Sequence, residues 1–229
     1  MKKLIPFICL LLLIGCTDKP TSPYIILKVS KTNGGAQFDV QVYGRLSKAQ
    51  LIAIASKIKS DSSRYENLQL DYLLPGNSYK NAGGITVYAT AAYHEKRKIT
   101  AIDTVKDLHG NSLSFEFTGF TQEQARHMFS FDPKEVNGKN ILGKFIDDFT
   151  KTVSIVCKDN DNEGQVYILE LDTAGKIVSA TEPLMITHNG VHKLVISPKG
   201  DYCLLDENTL TMYSSDDPNK PYRSLKAGM

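Results

Sequence analysis

Between Asp159 and Glu170 the chain reads DNDNEGQVYILE. Asp159, Asp161 and Glu163 fall on alternate positions, Gly164 follows, and Glu170 closes the stretch as its twelfth residue. Calcium takes six to eight hard oxygen ligands, and a loop with carboxylates at positions 1, 3, 5 and 12 around a glycine at 6 supplies most of them. The flanks argue for a different structure. The entering residues 153–156 are mostly β-branched and strand-like, and the exit runs into the turn Asp172-Thr173-Ala174-Gly175 rather than a helix. Asp, Asn and Gly in such a run serve a hairpin turn equally well. A turn is the first expectation, and a weak calcium site at Asp159, Asp161, Glu163 and Glu170 is the second.

Other chemistry-bearing residues are sparser. His188 and His192 stand four apart in HNGVH, but Asn189-Gly190 between them makes a turn rather than a metal-binding helix face. No G-x-S-x-G elbow and no S-x-x-K opens a helix, so the usual activated serines are missing. Cys203 near Asp206 could be read as a thiol site, though a bridge to Cys157 explains it more simply. Tyr72, Tyr79, Tyr88 and Tyr93 gather around LDYLLPG and ITVYATAAYH. They read either as an aromatic contact surface or as packing on a sheet face.

The elements that would position these residues fall into two groups. Alternation in FDVQV and a turn at TNGGAQ predict a hairpin near residues 24–42. Ser47 and Gln50 form a capping box, and Leu46 and Leu51 flank it as a hydrophobic staple. Leu51, Ile54, Ala55 and Ile58 then make one apolar helix face. Strands follow near 68–74, 85–93, 99–103 and 113–117, and a second capping box, Thr121 with Gln124, opens a short helix. After residue 140 short apolar runs alternate with compact turns. The expected fold class is α+β. An antiparallel sheet with one packed helix occupies 24–129, a linker 130–139, and a small all-β meander, barrel or sandwich, 140–229.

The first sixteen residues point to a compartment. Lys2 and Lys3 precede an apolar run, Leu4–Ile14, too short to cross a bilayer as a helix. It ends at Leu13-Ile14-Gly15-Cys16, which resembles the processing site of bacterial lipoproteins. The resemblance implies that residues 1–15 are a signal peptide, that Cys16 carries the lipid, and that 16–23 form a tether. Thr17 rather than Asp after the cysteine implies the outer membrane, facing the periplasm. The chain has 27 Lys+Arg against 25 Asp+Glu, and Lys2 and Lys3 account for the excess. A near-neutral processed chain offers no electrostatic basis for binding nucleic acid. With Cys9 removed and Cys16 lipidated, Cys157 and Cys203 remain, and an oxidising compartment points to a disulfide between them, with two buried thiols acting as small apolar residues as the alternative.

Two further stretches carry a resemblance. LDYLLPG followed by ITVYATAAYH resembles a Leu-Pro-Gly … Ala-Thr-Ala pattern of bacterial and phage envelope proteins, and NILGKFIDD before the meander is similar to small β-barrel domains of lipoproteins. Together they cover 46–93 and 140–213, and depart from the pattern where Tyr88 or Phe145 stands for an expected Trp. No catalytic residue transfers. The expected function is a lipid-anchored envelope protein, a non-enzymatic module binding an envelope protein partner, without a cofactor beyond the weak calcium site. A periplasmic hydrolase and a calcium-stabilised structural protein are the alternatives.

Overall fold

The computed structural model describes residues 22–32, 34–75, 87–94, 103–160, 164–188 and 191–227. They form two sheets, with one helix packed on each.

The first sheet has six strands: β1 (Tyr24–Thr32), β2 (Gly35–Val42), β3 (Asn67–Leu73), β4 (Val87–Tyr93), β5 (Asp103–Lys106) and β6 (Ser112–Phe117), in the order β1-β2-β3-β4-β6-β5. Strands β1 and β2 pair as the expected hairpin, with Thr32 opposite Gly35. Helix α1 (Lys48–Asp61) begins at the expected capping box, both of whose hydrogen bonds are present. It connects β2 to β3, which run parallel. The sheet is therefore mixed rather than antiparallel, because a helical crossover returns the chain in its original direction.

Alternation sends Phe38, Val40, Val42, Leu68, Leu70 and Tyr72 under α1, where they pack with Leu51, Ile54, Ala55 and Ile58. A bulge in β4 at Tyr88 turns that ring into the same core. The opposite face is polar. Register places Lys28, Asp39, Asp71, Thr90 and Glu116 in one row across five strands.

The second sheet has nine strands: β7 (Lys139–Asp147), β8 (Thr152–Asp159), β9 (Val166–Leu171), β10 (Ile177–Thr181), β11 (Leu184–His188), β12 (Val191–Val195), β13 (Tyr202–Leu205), β14 (Thr209–Ser214) and β15 (Asp217–Ala227). Their order is β10-β9-β8-β7-β15-β14-β13-β12-β11, and every pairing is antiparallel. The sheet is open, since its end strands β10 and β11 are not paired with each other. Only residues 182 and 183 separate them in sequence. Three Cα steps span at most about 11 Å, whereas nine strands laid flat would put the ends about 38 Å apart. The sheet must therefore roll until its ends are close. Its inner face holds Phe145, Val156, Val166 and Ile168 against Leu194, Cys203, Leu210, Met212 and Leu225.

The outer face of β7–β9 is covered by α2 (Gln122–Ser130), through Ala125 and Met128. This helix, grouped by sequence with the first sheet, shares its core with Ile146, Val153, Ile155, Cys157, Leu169 and Leu171 of the second. Lys144 donates to the carbonyls of Phe129 and Phe131 at the helix end and pairs with Asp132. A cation there satisfies last-turn carbonyls and opposes the helix dipole.

Candidate functional site

Two of the four expected calcium ligands, Asp159 and Glu170, stand apart. Asp159 and Glu170 lie on the antiparallel neighbours β8 and β9, and Glu170 stands opposite Ser154. Asp159 lies five residue steps along the strand from Ser154, about 16 Å at 3.3 Å per step. One cation cannot be shared across that distance. The Asp159 carboxylate is also occupied: Lys139 pairs with one oxygen, and the Tyr167 hydroxyl donates to the other at 2.8 Å. These donors, Lys139 foremost, hold its carboxyl below the ordinary range. Asp161 and Glu163 lie outside the described residues, as do Cys16 and Tyr79. The stretch builds a hairpin between β8 and β9.

The cysteines are free and buried. Cys157 shares a side of β8 with Val153 and Ile155, facing α2, whereas Cys203 is inside the rolled sheet beside Leu194 and Leu210. The expected bridge is not made, because the period of two sends the thiols to opposite faces of the sheet. Burial, with the Glu170 carboxylate adding to it, pushes the Cys203 thiol up to about 12. A thiol so shifted supplies almost no thiolate at neutral pH, which argues against nucleophilic chemistry at Cys203.

The three described tyrosines of the expected contact surface, Tyr72, Tyr88 and Tyr93, are buried core residues. Their hydroxyls donate to the carbonyl of Leu51 at 2.7 Å, the carbonyl of Leu46 at 2.9 Å and the Asp107 carboxylate at 3.0 Å. Each ring fills the space under α1 while its polar tip is satisfied.

Asp107 closes the turn between β5 and β6. It accepts from the amides of His109 and Asn111, the Asn111 side chain and Tyr93. Burial pushes its carboxyl up, but these donors outweigh burial and hold it below the ordinary range. A depressed carboxyl stabilises the fold above its unfolded value and loses that contribution as pH falls through the folded one. Asp107→Asn should therefore cost about 1–3 kcal/mol at pH 7, and the gap to wild type in urea unfolding should shrink below pH 4. A gap that stays constant between pH 7 and pH 3 would refute this role.

Asp39 has the opposite sign. It is 3% exposed, with one carboxylate oxygen unpartnered among the described residues. Burial and the neighbouring Asp71 push its carboxyl up, against the pull of Lys28. Asp71 itself accepts from the side-chain amides of Gln37 at 2.6 Å and Gln69 at 3.0 Å.

Among the described residues a dense polar cluster lies where the two sheets meet. Arg45, between β2 and α1, forms a two-pronged ion pair with Asp148 in the turn after β7, at 2.7 and 2.8 Å. The side chains are 6% and 8% exposed. Arg45 also donates to the Phe120 carbonyl at 2.8 Å, and the Phe120 amide donates to Asp148 at 2.8 Å. The guanidinium lies over the Tyr88 ring, 5.7 Å from its centroid. Gly119 fits beside the cluster because a Cβ there would stand 2.5 Å from an Asp148 oxygen. The next residue along, Asp147, is buried and paired with Arg223 of β15 at 2.6 Å. The two adjacent aspartates thus neutralise different arginines.

Comparison with protein-family models, with curated proteins and with solved structures finds no match.

Proposed function

We propose that the chain is a lipid-anchored protein of the bacterial cell envelope, processed at Cys16 and held on the outer membrane facing the periplasm. It works there as a non-enzymatic module that binds an envelope protein. The observation that carries the reading is Leu13-Ile14-Gly15-Cys16 behind Lys2, Lys3 and an apolar run of eleven residues. One structural feature supports the partner-binding part of it. The end strands of the second sheet expose Val178, Leu184 and Ile186, an apolar surface of the kind partners cover.

The test uses the full chain in a bacterial host grown with labelled palmitate. Wild type should incorporate label and sediment with membranes. Cys16→Ala should lose the label, because Cys16 is the cysteine of the Leu13-Ile14-Gly15-Cys16 processing motif, and should stay unprocessed or appear in the soluble fraction. A Cys16→Ala chain that is still shortened and membrane-bound would overturn the proposal.

A further inference from the structure

Strand β1 is the end strand of the first sheet and pairs only with β2. Ile25, Ile26, Leu27 and Val29 on it are each 41–45% exposed. Their directions follow from the register. Ile26 and Val29 stand opposite Val40 and Phe38 on the helix side, Ile25 stands opposite Gln41 on the polar side, and Leu27 is the extra residue of a bulge between Ile26 and Lys28. Apolar groups thus project on both faces, and the greasy surface is the sheet's own rim.

Such a rim invites another strand, but β1 is built against strand addition. Its bulge interrupts the row of free backbone groups, Pro23 directly before it lacks an N–H, and Lys28 and Lys31 interrupt the apolar run. These are the devices by which proteins blunt open edges. The side chains therefore suit a partner that needs no backbone pairing.

Position identifies that partner. Tyr24 is the eighth residue after Cys16. Eight residues reach at most about 28 Å fully extended. The strand that follows the anchor is thus held close to the lipid. Tyr43, 58% exposed, follows Val42, which pairs with Tyr24 at the end of the strand where the tether arrives. Exposed aromatic rings settle at the headgroup level of a bilayer, and the exposed Lys31 suits anionic headgroups.

We infer that β1 and Tyr43 form a membrane-contact rim, through which the first sheet lies on the lipid surface that anchors it. The inference rests on the lipid-anchor reading.

Nitroxide labelling tests it in membranes isolated from cells making the full chain with Ile26→Cys. Cys157 and Cys203 are buried, so the introduced thiol takes the label. Leu108→Cys, at a position 71% exposed in the turn between β5 and β6, is the solvent reference. At position 26 the ratio of collision with oxygen to collision with a water-soluble nickel chelate should be at least fivefold that at position 108. Val29→Cys should give the same result, which separates the contact from any misfolding of one variant. Equal ratios in membrane-held protein would overturn the inference and leave the anchor standing. Shielding from both oxygen and nickel would overturn it too, since protein rather than lipid would then cover the strand. Chains absent from the membrane fraction would overturn both readings.

Discussion

Asp148→Ala should destabilise the protein by about 3–5 kcal/mol, measured by urea unfolding at neutral pH. The size follows from what remains behind. Arg45 would keep its charge in a site where its side chain is 6% exposed, with only the Phe120 carbonyl and the Tyr88 face for compensation. The Phe120 amide would also lose its acceptor. Arg45→Lys should cost less than Asp148→Ala but more than a surface change, because an ammonium cannot match both carboxylate oxygens as the guanidinium fork does. Removing both charges, as in Arg45→Met with Asp148→Leu, should recover much of the loss, since no unpaired charge is left buried. An Asp148→Ala midpoint indistinguishable from wild type would show that water reaches the cluster and that the pair does not join the sheets.

Phe145→Ala should cost about 3–5 kcal/mol as well, through a cavity rather than a charge. Phe145 is fully buried between the two halves of the rolled sheet. Its ring lies over Gly143, where a Cβ would stand 2.5 Å from the tip of the ring. The bulge at Leu142 precedes this pair. Gly143→Ala should therefore cost about 1–3 kcal/mol by overpacking. In the Phe145→Ala background the same methyl enters vacated space. The double variant should lose clearly less than the two single losses added together. Additive losses would mean that the ring and the glycine do not share the contact.

Local chemistry in the sequence carried much of this architecture. Ser47 with Gln50 and Thr121 with Gln124 begin the two helices because both partners of each box lie within one turn. Alternation from Phe38 to Val42 and from Leu68 to Tyr72 marks the buried face for the same reason. The features that escaped depend on residues far apart. Parallel pairing of β2 with β3 leaves no local mark, and Arg45 lies 103 residues from Asp148. Strand β15 contains Pro218 and Pro221, which disguise it as a loop. The period of two told which residues share a side with Cys157, but not which side α2 would cover. That left a disulfide plausible on paper and impossible across the sheet. The tyrosines were legible as a group and ambiguous in direction until α1 was placed over them.

The position of β15 has a consequence for biogenesis. Strands β7 to β10 form one run of hairpins and β11 to β15 another, and the first and last strands of the unit pair at the middle of the sheet through Lys226 with Ile146 and Ala227 with Phe145. A chain emerging from a ribosome can form each run as it appears. The inner edge of β7 stays open, and Asp147 lacks Arg223, until β15 arrives. Completion of this unit is thus timed by β15, and a product terminated before that strand leaves an unpaired edge open to proteolysis.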